Sequence, residues 1–210
     1  MAATTVRSVN VTAATAEGIP VDALPTEVRG AVAAGWWGMV FFILTEAALF
    51  AYLFLGYFYL GSRVSEWPPS GPPDITLAVI NTVILVLSSI PMWMAERSVR
   101  RGRMGRFGLM LLIVLVMGIT FLIIEATEWS HQSFTPATSA YGSVFYTITG
   151  FHFAHVTLGL LMTIELLYRA RAKRIDERRP LAAKNVAAYW HFVGLVWVIL
   201  FIVIYMSPRW

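Results

Sequence analysis

The stretch GWWGMVFFILTEAALFAYLFLGYFYL, Gly35 to Leu60, holds one charged side chain, Glu46. Its twenty-six residues, at about 1.5 Å rise each, make roughly 39 Å of helix, enough to cross a hydrocarbon core of about 30 Å with some tilt. The stretch therefore predicts a transmembrane span. Glu46 falls about ten residues from Trp36, near the bilayer midplane, where an ionised carboxylate costs at least ~2.5 kcal/mol. Its helical neighbours three and four residues away, Phe42, Ile43, Leu49 and Phe50, cannot hydrogen-bond it. A partner has to come from another helix, another subunit, a lipid or buried water.

Outward from this stretch the pattern repeats. The 210 residues are 58% apolar and 13% charged, far more apolar than a soluble domain. The expected fold class is an all-α integral membrane protein. Cysteine is absent, which removes disulfides, thiolate metal sites and cysteine nucleophiles. Residues 1–30 are rich in Ala, Thr and Val without helical periodicity and read as a flexible arm before a bundle over residues 31–210. Apolar runs place five spans at about 35–61, 75–95, 107–128, 141–168 and 186–206. The proline-rich segment Ser62–Asp74 reads as an exposed loop, because its backbone groups would go unpaired in lipid.

Charge sets an orientation. Arginines 97, 100, 101, 103 and 106 crowd the loop between spans two and three, and seven Lys and Arg lie between Arg169 and Lys184. Both clusters fall on one side of a five-span chain. Positive-inside bias then puts the N-terminus in the cytoplasm and the C-terminus outside, with anionic lipid and not nucleic acid as the counterion of the arginines. Trp36, Trp37, Trp67, Trp93, Trp129, Trp190 and Trp210 fall near the expected membrane boundaries.

Ionisable residues inside spans are functional candidates by default. In TGFHFAHVTLG of span four, His152 and His155 stand three apart and so on one helix face, at about the depth of Glu46. An interhelical carboxylate–histidine network is one reading; histidines bonded to backbone carbonyls at helix contacts are the other, with equal weight. Glu125, Glu128 and His131 follow at spacings of three. The pattern invites a di-metal carboxylate site, but Glu125 should lie about 10 Å or more shallower than His152, so no metal is expected. A bis-histidine haem also fits poorly, with His191 near the inner surface. Asn81, Thr82, Ser88 and Ser89 form a mildly polar stripe read as satisfying backbone loosened by Pro91, and the glycines read as packing positions.

From Phe121 to Tyr205 the segments FLIIEATEW, YGSVFYTITGFHFAHVTLG and AAYWHFVGLVWVILFIVIY resemble, in order and spacing, subunit III of the haem–copper cytochrome c oxidases. LTEAALFAYLF and the EWPP loop resemble that family's third transmembrane helix and its exit. The resemblance implies a non-catalytic subunit of a bacterial terminal oxidase in the plasma membrane, with haem and copper in partner subunits and phospholipid bound. It implies contacts with subunits I and II, stabilisation of subunit I, and support of proton uptake and oxygen access. Glu46 matches the family's buried, carbodiimide-reactive carboxylate, and Glu125, Glu128, His152, His155, Trp190 and His191 fall on or beside its polar motif positions. Gly194 stands where the family usually has Asp, Glu125 often aligns with Gln and is expected as an extra external charge, and the two N-terminal helices of the seven-helix form are missing. The equivalent subunit of a quinol oxidase or nitric oxide reductase is the alternative. A proton-coupled transporter built on Glu46 and the histidines is a lesser one.

Overall fold

Hydrocarbon offers backbone N–H and C=O groups no water to bond, so apolar runs of this length close their hydrogen bonds internally as helices. The computed structural model of the chain describes residues 34–69, 71–175 and 180–209, and five helices in it are long and apolar enough to cross a membrane. They are α1 (Ala34–Gly61), α2 (Thr76–Val99), α3 (Met104–His131), α4 (Ala140–Arg171) and α5 (Leu181–Leu200), with α5 running on through a wider π-type turn over Phe201–Met206. There is no strand among the described residues. The arm over residues 1–30, and Trp210, lie outside them.

At the basic ends the helices outrun the apolar runs. α2 continues to Val99, α3 begins at Met104, α4 reaches Arg171 and α5 begins at Leu181. Arginine is a good helix former, and its aliphatic stem stays on the helix while its head reaches water. Glu96 with Arg100 at 2.8 Å and Glu165 with Arg169 at 2.7 Å add i,i+4 pairs to these last turns. The basic loop between α2 and α3 thereby shrinks to Arg100–Arg103. Gly102, with φ at +67°, allows that reversal.

On the opposite side the loops fold back. Trp67 lies 5.4 Å from the Tyr57 ring and 5.1 Å from the Tyr141 ring, while Pro68 and Pro73 are buried, so the Ser62–Asp74 loop is not simply exposed. An apolar loop gains by covering helix ends. Asp74 Oδ1 accepts from Thr76 N at 2.9 Å as α2 starts, and Ser139 Oγ accepts from Gly142 N at 3.1 Å as α4 starts.

α2, α3, α4 and α5 close a ring, each packed on the next, and α1 leans on α4 and α5 from outside. Phe50 and Tyr57 are the buried residues of α1, whereas α5 buries ten of its side chains or glycines along Leu181–Leu200, Trp190 and Trp197 among them. Trp190 is 1% exposed and so belongs to the core, not to a membrane boundary. Its indole passes between two glycines: a Cβ on Gly118 would come within 2.8 Å of it, and one on Gly159 within 3.0 Å. Those two glycines are what let α3, α4 and α5 meet around so large a side chain.

Candidate functional site

The ring and its outer helix create two different settings for acids. In the first, Glu46 of α1 meets α4: His155 Nε2 lies 2.8 Å from Glu46 Oε2. The partner that Glu46 needs comes from another helix. His155 Nδ1 lies 2.6 Å from the Phe151 carbonyl one turn earlier, and since a carbonyl only accepts, Nδ1 carries a proton. Nε2 then either accepts from a protonated Glu46 or, as imidazolium, donates to its carboxylate. In both cases the pair is neutral as a whole, which suits it to an apolar depth. Phe50 packs edge-on at 5.0 Å from the His155 ring, and Tyr189 Oη donates to the His155 carbonyl at 3.3 Å. The site is not closed: the Glu46 side chain is 21% exposed and that of His155 11%.

His152 does not join that pair. Three residues from His155, it points into the ring, 1% exposed, with Phe50, Phe121 and Trp197 around it at centroid distances of 6.3, 5.7 and 5.0 Å. Neither ring nitrogen has a hydrogen-bond partner among the described residues. The shared helix face expected for the two histidines therefore splits between two environments, since α4 touches α1 on one flank and the ring interior on the other.

The second setting is the interior. Glu125, expected as an external charge, is fully buried: Asn81 Nδ2 donates to its Oε2 at 3.2 Å and to the Phe121 carbonyl at 3.3 Å. The expectation fails because α3 runs on to His131, which moves Glu125 into the bundle. Phe121 lies against the His152 ring and Glu125 is four residues on, so about one helical turn separates their depths, less than the sequence suggested. Glu128 accepts from Tyr205 Oη at 2.5 Å and from Gln132 Nε2 at 3.4 Å. His131 is exposed, with Nδ1 at 2.8 Å from the Thr127 carbonyl, and stays apart from both acids. No three His, Asp or Glu side chains converge among the described residues.

Several partners carry no signal in the sequence reading. Trp190 Nε1 donates to Ser88 Oγ at 2.9 Å, and Trp197 Nε1 donates to Thr82 Oγ1 at 2.9 Å. Ser88 and Thr82 in turn donate to the Leu85 and Ala78 carbonyls. The carbonyl that Pro91 leaves without a donor is that of Leu87, so Thr82 and Ser88 of the polar stripe serve α5, Asn81 serves α3, and none of the three serves the proline. Tyr205 and Trp197 lie in an apolar run where only tertiary structure identifies them. His191, ten residues into α5, stands about 15 Å from its start and is half-buried, deeper than an inner-surface position. A Cβ on Gly194 would face Ser89 Oγ at 3.8 Å. Arg97, Arg101, Arg103 and Arg106 border one cavity at the α2–α3 turn, and Arg100 pairs with Glu96 instead.

A sequence profile described as "Cytochrome c oxidase subunit III" matches residues 22–209. Cytochrome c oxidase subunit 3 of Synechocystis is 36% identical over 176 residues, covering 80% of this chain and 74% of the relative. The probable cytochrome c oxidase subunit 3 of Mycobacterium leprae is 38% identical over 172 residues (80% and 85%), and the mouse subunit is 33% identical over 178 residues (80% and 68%). With its five-helix architecture, the chain belongs to the cytochrome c oxidase subunit III family.

Proposed function

We propose that this chain, subunit III of a haem–copper oxidase by its family, supports the oxygen chemistry of its complex without carrying a redox centre. The observation that carries this reading is the use made of its intramembrane polar groups. Glu46–His155 ties α1 to α4, Glu125–Asn81 ties α3 to α2, and Glu128–Tyr205 ties α3 to α5. Each joins two helices of the same bundle, as a subunit whose task is to hold shape requires. Haem and copper belong to the partner subunits, with subunit I the main contact and subunit II beside it. The names of the relatives favour cytochrome c over quinol as electron donor.

The arginine clusters support a cytoplasmic N-terminus and an external C-terminus, and the bacterial relatives support a bacterial plasma membrane. Exposed apolar side chains along α1, such as Phe41, Tyr52 and Leu55, leave that helix to lipid or a neighbouring subunit. Purification through a tag on this chain tests the assignment. A haem-bearing partner with an oxidase spectrum is expected, and a haem-free preparation overturns it. For proton support, oxidase stripped of this chain is expected to slow more steeply than intact enzyme as pH rises; identical profiles remove that role.

A further inference from the structure

The turn between α2 and α3 gathers charge that the chain does not neutralise. Arg101 N and Arg103 N both donate to the Ser98 carbonyl, at 3.1 and 3.0 Å, which together with Gly102 folds the turn tightly. Arg97 from α2 and Arg106 from α3 are drawn to the same spot. These four arginines border a cavity of about 280 Å³ with Trp93 and Met94 as its apolar wall. Arg97 lies 5.0 Å over the Trp93 ring. The nearest acid on α2, Glu96, is held by Arg100 at 2.8 Å, and no other arginine of the turn makes an ion pair among the described residues. Four like charges around one concavity give it a positive potential that favours an anion.

We propose that this cavity binds the phosphate of one anionic glycerophospholipid. The arginine fork is matched to phosphate oxygens. The volume lies just under the range of about 300–1,000 Å³ that holds whole small-molecule ligands, a size for a headgroup and its glycerol. The turn joins two membrane spans, so the cavity opens at the level of the headgroups on whichever face it lies. Half-exposed Trp93, which lines the cavity, and the exposed Ile90 one turn before it continue along α2, giving an acyl chain an apolar track that a free phosphate would not use. The site lies apart from α1 and from Glu46, and its occupant is one bound lipid, not a diffuse counterion layer over all five arginines.

Native mass spectrometry of the oxidase, purified through a tag on this chain and reconstituted in phosphatidylcholine nanodiscs with a minor fraction of phosphatidylglycerol, tests this. Wild type is expected to retain one phosphatidylglycerol that the Arg101→Gln/Arg103→Gln variant loses, with affinity down about thirtyfold, since each arginine near an anionic lipid is worth about a factor of five. Arg100→Gln is expected to retain it. If the double glutamine variant fails to assemble, Arg97→Gln and Arg106→Gln give the same readout at about fivefold each. Equal retention by wild type and the glutamine variants overturns the proposal. Complete displacement of the phosphatidylglycerol by millimolar inorganic phosphate also overturns it, because the site then recognises a free anion.

Discussion

Two acid sites in one membrane chain differ in how completely the chain finishes them. Glu125 and Glu128 stand inside the ring of α2 to α5, at 0% and 3% exposure, the first bonded from α2 by Asn81 and the second by Tyr205 beyond α5. Glu46 stands on the seam between the ring and α1, bonded to His155 and with a fifth of its side chain open. The interior acids are what a bundle uses to fix register, because a buried polar pair matches in one alignment and fails in others. The seam acid is bonded through one oxygen as they are, but it is left partly open at the edge of the ring. The difference separates acids sealed in the interior from one that ties an outer helix to the ring and stays partly open.

Core substitutions should show the largest effects. Trp190→Ala removes the indole that fills the gap between Gly118 and Gly159 and the donor to Ser88 Oγ, and a loss of about 3–5 kcal/mol is expected. The check is loss of this chain from the purified complex on mild detergent challenge. Asn81→Leu leaves Glu125 buried without its donor, at a cost of about 1–3 kcal/mol, visible as a lower melting temperature of the complex. Tyr205→Phe does the same to Glu128 Oε1, less severely because Gln132 still donates. At the seam, His155→Leu should cost little more than the ~0.6 kcal/mol average of intramembrane hydrogen bonds, and Glu46→Gln, which can still bond Nε2, less again. If His155→Leu proves as damaging as Asn81→Leu, the two sites are not different in kind.

Much of the fold is legible in the sequence because hydrocarbon allows so few solutions: long apolar runs, prolines between them and basic clusters at their ends place five helices. Helix ends are less legible. Arg97, Lys184 and their neighbours read as loop by hydropathy, yet their long stems keep them helical. The depth match of Glu46 with His155 is visible by counting residues. That His152 turns away is not, since a helix apolar on nearly every face gives no periodic signal of which face meets which neighbour. The same blindness hides Tyr205, Trp197 and Thr82 and makes Glu125 look external. Their roles depend on α5 packing between α2 and α4 and reaching across the ring, which no local pattern encodes.

The central claim, an outward-facing acid at the seam and sealed acids in the ring, is tested most directly by carbodiimide labelling. Membranes holding the assembled oxidase are treated with a lipid-soluble carbodiimide, and modified peptides are mapped by mass spectrometry over time. The account predicts modification at Glu46, with Glu125 and Glu128 untouched until the bundle is unfolded. Modification of Glu125 or Glu128 as fast as that of Glu46 contradicts it.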